Sequence, residues 1–237
     1  MTDRSASARP SAQPAASDPA GAGSQVAHGQ GPDGRSPERQ GAAPRAGGGR
    51  RRLRWRVVDL VVLAVLAAAC GVIFWAWSSL VYPISEAATV GYPPAGGLLV
   101  GGWLIAGPLG ALIIRRPGAA LACELLAACF EGLLGTTFGL TVVISGVVQG
   151  AAAEAVFLVT GYRRFGAVTA MASGAAAGLL GTLCECVLYY YEWPLSHQAV
   201  YVVLGTVSGA VIAGLAMWAL TRALRATGVL SGLASGR

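Results

Sequence analysis

The sequence predicts an all-α integral membrane fold, a compact bundle of six transmembrane helices with both termini cytoplasmic. Three observations carry that reading. Of the 237 residues 54% are hydrophobic and only 12% charged, too apolar a balance for a soluble domain of this size. Six segments, 57–80, 95–114, 117–135, 138–160, 167–190 and 199–221, have the ~20 apolar residues that a membrane-spanning helix needs. Arginine clusters recur at alternate ends of these segments, and the chain contains no lysine.

Residues 1–50 are mostly Gly, Ala, Pro, Ser, Gln and Arg, with almost no large apolar side chains. Such a stretch cannot bury enough surface to offset its ordering entropy, so a disordered cytoplasmic tail is expected there, followed by a transmembrane substrate-binding domain over 51–237. Residues 1–56 hold ten of the 17 arginines and four of the 11 acids, so the net charge of +6 belongs to this leader. The basicity is not a nucleic-acid signal. The first apolar run begins at Val57 and continues for a full span, unlike the short core of a cleaved signal.

Turn chemistry separates the spans: Tyr92-Pro93-Pro94, Arg115-Arg116-Pro117, Gly135 to Gly139, Tyr162 to Gly166 and Glu192-Trp193-Pro194. Arg50 to Arg56 precede the first span, while Arg115 and Arg116, Arg163 and Arg164, and Arg222 and Arg225 follow the second, fourth and sixth. All fall on one side, which the positive-inside rule makes cytoplasmic, leaving loops 81–94, 136–137 and 191–198 outside. Glu86 and Glu192 are expected as solvated charges there. Most aromatic residues sit at the boundaries as an interfacial belt, but Trp103 lies ~12 Å down the second span.

Small residues at helical spacing allow close packing in lipid. Gly174, Gly178 and Gly181 on the fifth span, and Gly205, Gly209 and Ala213 on the sixth, are expected to pack tightly inside one compact bundle. Ala64, Ala68 and Gly71 lie on a peripheral first helix, where the same pattern could equally dock a partner's helix.

Glu124, Glu131, Glu154 and Glu185 are embedded in apolar runs with no Arg or Lys among them. A carboxylate at mid-membrane costs roughly 2.5 to 3.5 kcal/mol, so these acids are candidates for holding a ligand. Glu131 and Glu185 lie ~6 and ~8 Å from the outer helix ends, and Glu124 and Gln149 ~16 Å deep. Glu124 and Glu131, seven residues apart, share a face with Ala127 and Ala128 between them. Gly181, Glu185 and Tyr189 form a second stripe. The occupant that suits this set is a small cationic or donor-rich aromatic molecule, stacked on an aromatic ring and neutralised by Glu. Glu154 lies near Arg163 and Arg164, where an ion pair is expected.

Other chemistries lack their residues. Without lysine there is no phosphate-binding G-x-x-x-x-G-K-[ST] loop and no Schiff base. His28 falls in the leader and His197 in an outer loop, so neither a Ser/His pair nor a zinc site is expected in the bundle. The cysteines Cys70, Cys123, Cys129, Cys184 and Cys186 read as small buried side chains without C-x-x-C spacing. No enzymatic activity, metal or cofactor is expected.

RPGAALACELLAACFEGLLG at Arg116 to Gly135, VVQGAAAEAVFLVTGYRR at Val147 to Arg164 and the ending TGVLSGLASGR resemble the YkoE-type substrate-binding (S) components of energy-coupling factor (ECF) vitamin transporters. The likeness covers about residues 57–237. It implies a six-helix S component that captures thiamine or its hydroxymethylpyrimidine precursor from outside, working with a transmembrane T component and cytoplasmic ATPases. By the same resemblance Glu124, Glu131, Gln149 and Glu154 match the family's polar positions, Trp103 its deep tryptophan, and Ala64, Ala68 and Gly71 the patch that meets the T component. Trp103, Glu124, Glu131, Gln149, Glu185 and Tyr189 are thus the expected substrate-binding residues. A self-sufficient proton-coupled transporter of a small cation, with Glu124 and Glu131 as the relay, and a non-transporting membrane subunit are the competing readings.

Overall fold

The computed structural model describes residues 54–233; the expected tail at 1–50, the arginines at 50–52 and the last four residues lie outside that range. The described residues belong to one compact unit. They form helices α1 (Val57–Ala88), α2 (Pro93–Ile114), α3 (Ala119–Leu134), α4 (Thr141–Val159), α5 (Ala167–Leu188) and α6 (Leu195–Ala226). All but α3 are long and apolar enough to cross a membrane, so five helices of spanning length stand where six were expected. The 16 residues of α3 reach ~24 Å, short of a hydrocarbon core of ~30 Å.

Helix α1 begins where Asp59 accepts a hydrogen bond from the backbone N–H of Arg56 at 3.0 Å. It does not stop near residue 80: a widened π turn over Trp77–Val81 precedes Tyr82–Ala88. That turn relaxes the hydrogen-bond ladder just before Pro83, which has no N–H to contribute. The loop expected at 81–94 therefore shrinks, and Glu86 is helical. At the other end of the bundle α6 starts at Leu195, which brings His197 into a helix as well.

Helix α2 runs through the interior and is a 3₁₀ helix over Pro93–Leu104 before becoming α-helical at Ala106–Ile114. Its glycines let other helices approach closely. A Cβ on Gly97 would lie 2.7 Å from the carbonyl of Tyr201, and one on Gly101 2.6 Å from that of Ser208. The Gly101 N–H donates to Ser208 Oγ at 3.0 Å, and that hydroxyl donates to the Leu98 carbonyl at 2.5 Å. A 3₁₀ helix rises ~2.0 Å per residue, which puts Trp103 about 16 Å below residue 95 rather than ~12 Å.

Helices α5 and α6 meet as their glycines imply, with Gly174 against Gly209 and Gly178 against Gly205, backbone to backbone. Gly181 has a different task, because its missing side chain makes room for Gln149. Gly71 also faces inward, against Phe130 and the Ala127 backbone of α3.

Candidate functional site

All six sequence-predicted substrate-binding residues, Trp103, Glu124, Glu131, Gln149, Glu185 and Tyr189, line one cavity. About 590 Å³ of non-atom space, open solvent included, lies within its outline. Phe74, Tyr82, Val100, Ala128, Phe138, Val142, Ser145, Tyr190 and Tyr201 complete the lining. The wall thus combines three carboxyl groups and one amide with a ring of aromatic side chains, and no arginine or histidine.

Glu124 is 1% exposed. Its Oε2 accepts the backbone N–H of Gly107 at 2.5 Å, while Oε1 is buried without a partner. Gly107 makes that contact possible, since a Cβ there would lie 3.2 Å from Oε2. A buried acceptor without a donor is costly, which makes this atom a candidate contact for a donor group in the cavity.

Glu131 differs, because its Oε1 already accepts from Ser78 Oγ at 2.5 Å and Thr136 Oγ1 at 3.1 Å. Ser78 in turn accepts the indole N–H of Trp103 at 2.8 Å. Glu131 therefore fixes the orientation of the deep indole through a serine in the π turn of α1. The shared face expected between Glu124 and Glu131 is split: Ala128 lines the cavity, whereas Ala127 is fully buried in the contact with Gly71.

Glu185 accepts a hydrogen bond from Tyr201 OH at 2.6 Å. Gln149 is 4% exposed and occupies the space left by Gly181. At the rim, Tyr189 OH and Thr141 Oγ1 share a hydrogen bond at 2.5 Å, which ties α5 to α4. Phe138 occupies the mouth, with ring centroids 5.1 Å from Tyr82, 6.1 Å from Trp103 and 6.2 Å from Tyr189. It sits in the short α3–α4 connection between Gly135 and Gly139, whose φ values of 86° and 61° suit glycine.

Comparison with known proteins decides the family. Residues 58–180 match the family described as ABC-type cobalt transport system, permease component. YkoE of Bacillus subtilis (strain 168), which carries the name of an HMP/thiamine permease protein, is 31% identical over 185 residues, covering 77% of this chain and 91% of the relative. A crystal structure of an S-component of an ECF transporter superposes with a TM-score of 0.72 at 33% identity, covering 77% of this chain and 92% of that one. The chain belongs to the YkoE-type S components of ECF transporters. It is a multi-pass membrane protein of a transport family, and its relatives are not enzymes.

Two other expected roles change in this S component. Glu154 makes no ion pair with Arg163 or Arg164. It accepts from the N–H groups of Gly118 at 2.6 Å and Ala120 at 2.8 Å and from Tyr162 OH at 2.6 Å. It thereby satisfies the open N-terminus of α3, which has no cap of its own at Gly118. Burial and the Glu154 carboxylate together push the Tyr162 hydroxyl well above its ordinary pKa, so it remains a donor. Of the small residues on α1, Ala64 is exposed and Ala68 half-buried, but Gly71 is buried in the α1–α3 contact and does not share their face.

Several residues of the site escaped the sequence reading. Ser78 and Phe138 carry no charge and no motif, while Tyr82, Tyr190 and Tyr201 resemble ordinary boundary aromatics. The π turn that aims Ser78 inward has no signature in the residues themselves.

Proposed function

We propose that this S component captures thiamine or its hydroxymethylpyrimidine precursor and delivers it to a T component driven by ATPases. The observation that carries the reading is the unpartnered Oε1 of Glu124 on the wall of an aromatic-lined cavity. Both compounds contain an aminopyrimidine, whose amino group donates hydrogen bonds and whose flat ring stacks on an indole. Thiamine adds a positive thiazolium, suited to a wall that carries three carboxyl groups and no basic side chain. The name of the B. subtilis relative supports the same substrate class.

The roles divide accordingly. Glu124 and Gln149 recognise polar edges, Trp103 stacks, and Glu131 is a positioning residue that holds the indole through Ser78. Glu185 and Tyr189 act nearer the rim, and Phe138 closes the mouth. The arginine-bearing ends lie in the cytoplasm, the cavity opens outward, and the membrane is the plasma membrane. Ala64 and Ala68, beside the exposed Val61 and Val65, form the α1 face that meets the T component.

Quenching of intrinsic tryptophan fluorescence in the purified protein tests this directly. Thiamine and hydroxymethylpyrimidine should both quench at saturable, low concentration, and Trp103→Phe should remove most of the signal. Equal, non-saturable quenching by unrelated aromatic cations would contradict the assignment.

A further inference from the structure

Among the described residues eight arginines, Arg54, Arg56, Arg115, Arg116, Arg163, Arg164, Arg222 and Arg225, lie at the helix ends opposite the cavity mouth, and two acidic residues, Asp59 and Glu154, share that end. Both acids are consumed. Asp59 is fully buried and bridges Arg116 at 2.9 Å and Arg56 at 3.1 Å. Glu154 is occupied by the two N–H groups and the hydroxyl of Tyr162 already described. Two further arginines there are half-buried, with no ion pair to an acid among the described residues. Arg115 ends α2 in a left-handed conformation at φ 54°, its Cζ 4.8 Å above the ring of Phe165. Arg225 lies in the last turn of α6, which packs against the α-helical end of α2.

The Nε atoms of both Arg115 and Arg225 are buried and have no hydrogen-bond partner among the described residues. The negative ends of their helices account for the sign of the charge but not for two buried, unsatisfied N–H groups. Burial and, second to it, the Arg225 charge lower the pKa of Arg115 to about 10, so the two like charges lie near enough to repel. An anion between them would relieve that repulsion and accept from both forks.

We propose that Arg115 and Arg225 form a binding site for the phosphate of an anionic phospholipid headgroup at the arginine-rich membrane boundary. Phosphate offers the acceptor oxygens that guanidinium forks match. Arg115 directly follows the span that ends at Ile114, and Arg225 is the penultimate residue of the span that ends at Ala226, which sets the pair at headgroup level, where basic pockets between helices hold acidic lipids. The proposal is independent of which small molecule the cavity takes.

Native mass spectrometry of the full chain, titrated with phosphatidylglycerol or phosphatidylcholine, tests it. The wild-type protein should retain phosphatidylglycerol preferentially. Arg115→Gln or Arg225→Gln should each lower that retention about fivefold, and both together on the order of 30-fold. Arg115→Lys with Arg225→Lys, which keeps the charge, should fall between and guards against a folding defect in the glutamine variants. Changing the exposed Arg163 and Arg164 to Gln should leave retention unaltered. Equal retention of the two lipids, or equal loss in the Arg163/Arg164 variant, would overturn the site. Displacement of the lipid by millimolar inorganic phosphate would reassign it to a soluble anion. Unchanged lipid retention with loss of T-component copurification in the double variant would reassign it to a protein contact.

Discussion

A single oxygen atom, Oε1 of Glu124, sets one carboxyl group of the cavity wall apart from the other two, because it is buried without a hydrogen-bond partner among the described residues. Glu131 and Glu185 have protein donors, whereas this atom has none. Glu131→Gln should therefore act through geometry, loosening the Trp103 indole and weakening ligand binding less than Trp103→Ala, with Ser78→Ala reproducing its effect. Titrating the three variants by equilibrium dialysis checks that order. Tyr162 offers a separate test of stability. Its raised pKa means that the hydroxyl's contribution is fully present below the ordinary phenol value and is lost as pH rises beyond ~10. Tyr162→Phe should cost ~1 kcal/mol at neutral pH and flatten the alkaline part of the unfolding curve. At this scale the acids and the amide were legible in the sequence, because a carboxylate or amide in an apolar run is expensive and stands out. Ser78, Phe138 and Tyr201 were not, since a serine or an aromatic ring in a membrane helix is ordinary until its neighbours are known.

Among the elements, α2 and the α3–α4 connection govern the site. The 3₁₀ path of α2 depends on glycines that contact other backbones, so Gly101→Leu should unfold or misassemble the bundle, with a large fall in the melting temperature of the purified protein. Gly96, where a side chain would meet nothing, should tolerate Ala with little change. The ring of Phe138 lines the cavity from a connection bounded by two glycines with positive φ, and we propose that it acts as a lid. Phe138→Ala should speed both association and dissociation in stopped-flow fluorescence, with dissociation affected more strongly. Among the described residues hydropathy located the five helices of spanning length and the shorter α3, and glycine spacing signalled close packing of α5 and α6 without naming their partners. Boundaries were less legible: periodicity does not reveal that a π turn carries α1 past Pro83, nor that repeated glycines tighten α2 into a 3₁₀ helix. Gly71 shows the same limit, because small residues on one helix stripe say that something packs closely but not whether it is a neighbour or a partner.

Across the whole molecule, charge and shape are polarised. Arginines gather at one end with Asp59 and Glu154 already engaged, and the aromatic, carboxyl-bearing cavity lies toward the other. That asymmetry matches the function proposed above, in which one end would select a cation or donor-rich ring and the other would face the energy-supplying subunits. The sequence conveyed this polarity through arginine placement, and the family through three matching segments, while the aromatic cluster around Phe138 required three dimensions. The account's central claim is that Glu124 completes its hydrogen bonding with the aminopyrimidine shared by thiamine and hydroxymethylpyrimidine. Isothermal titration calorimetry of wild-type protein and Glu124→Gln with each compound measures it. Affinity for both should fall about 10- to 100-fold in the variant, the loss of a charge-assisted hydrogen bond; undiminished affinity for either, in a variant that melts like the wild type, would contradict it.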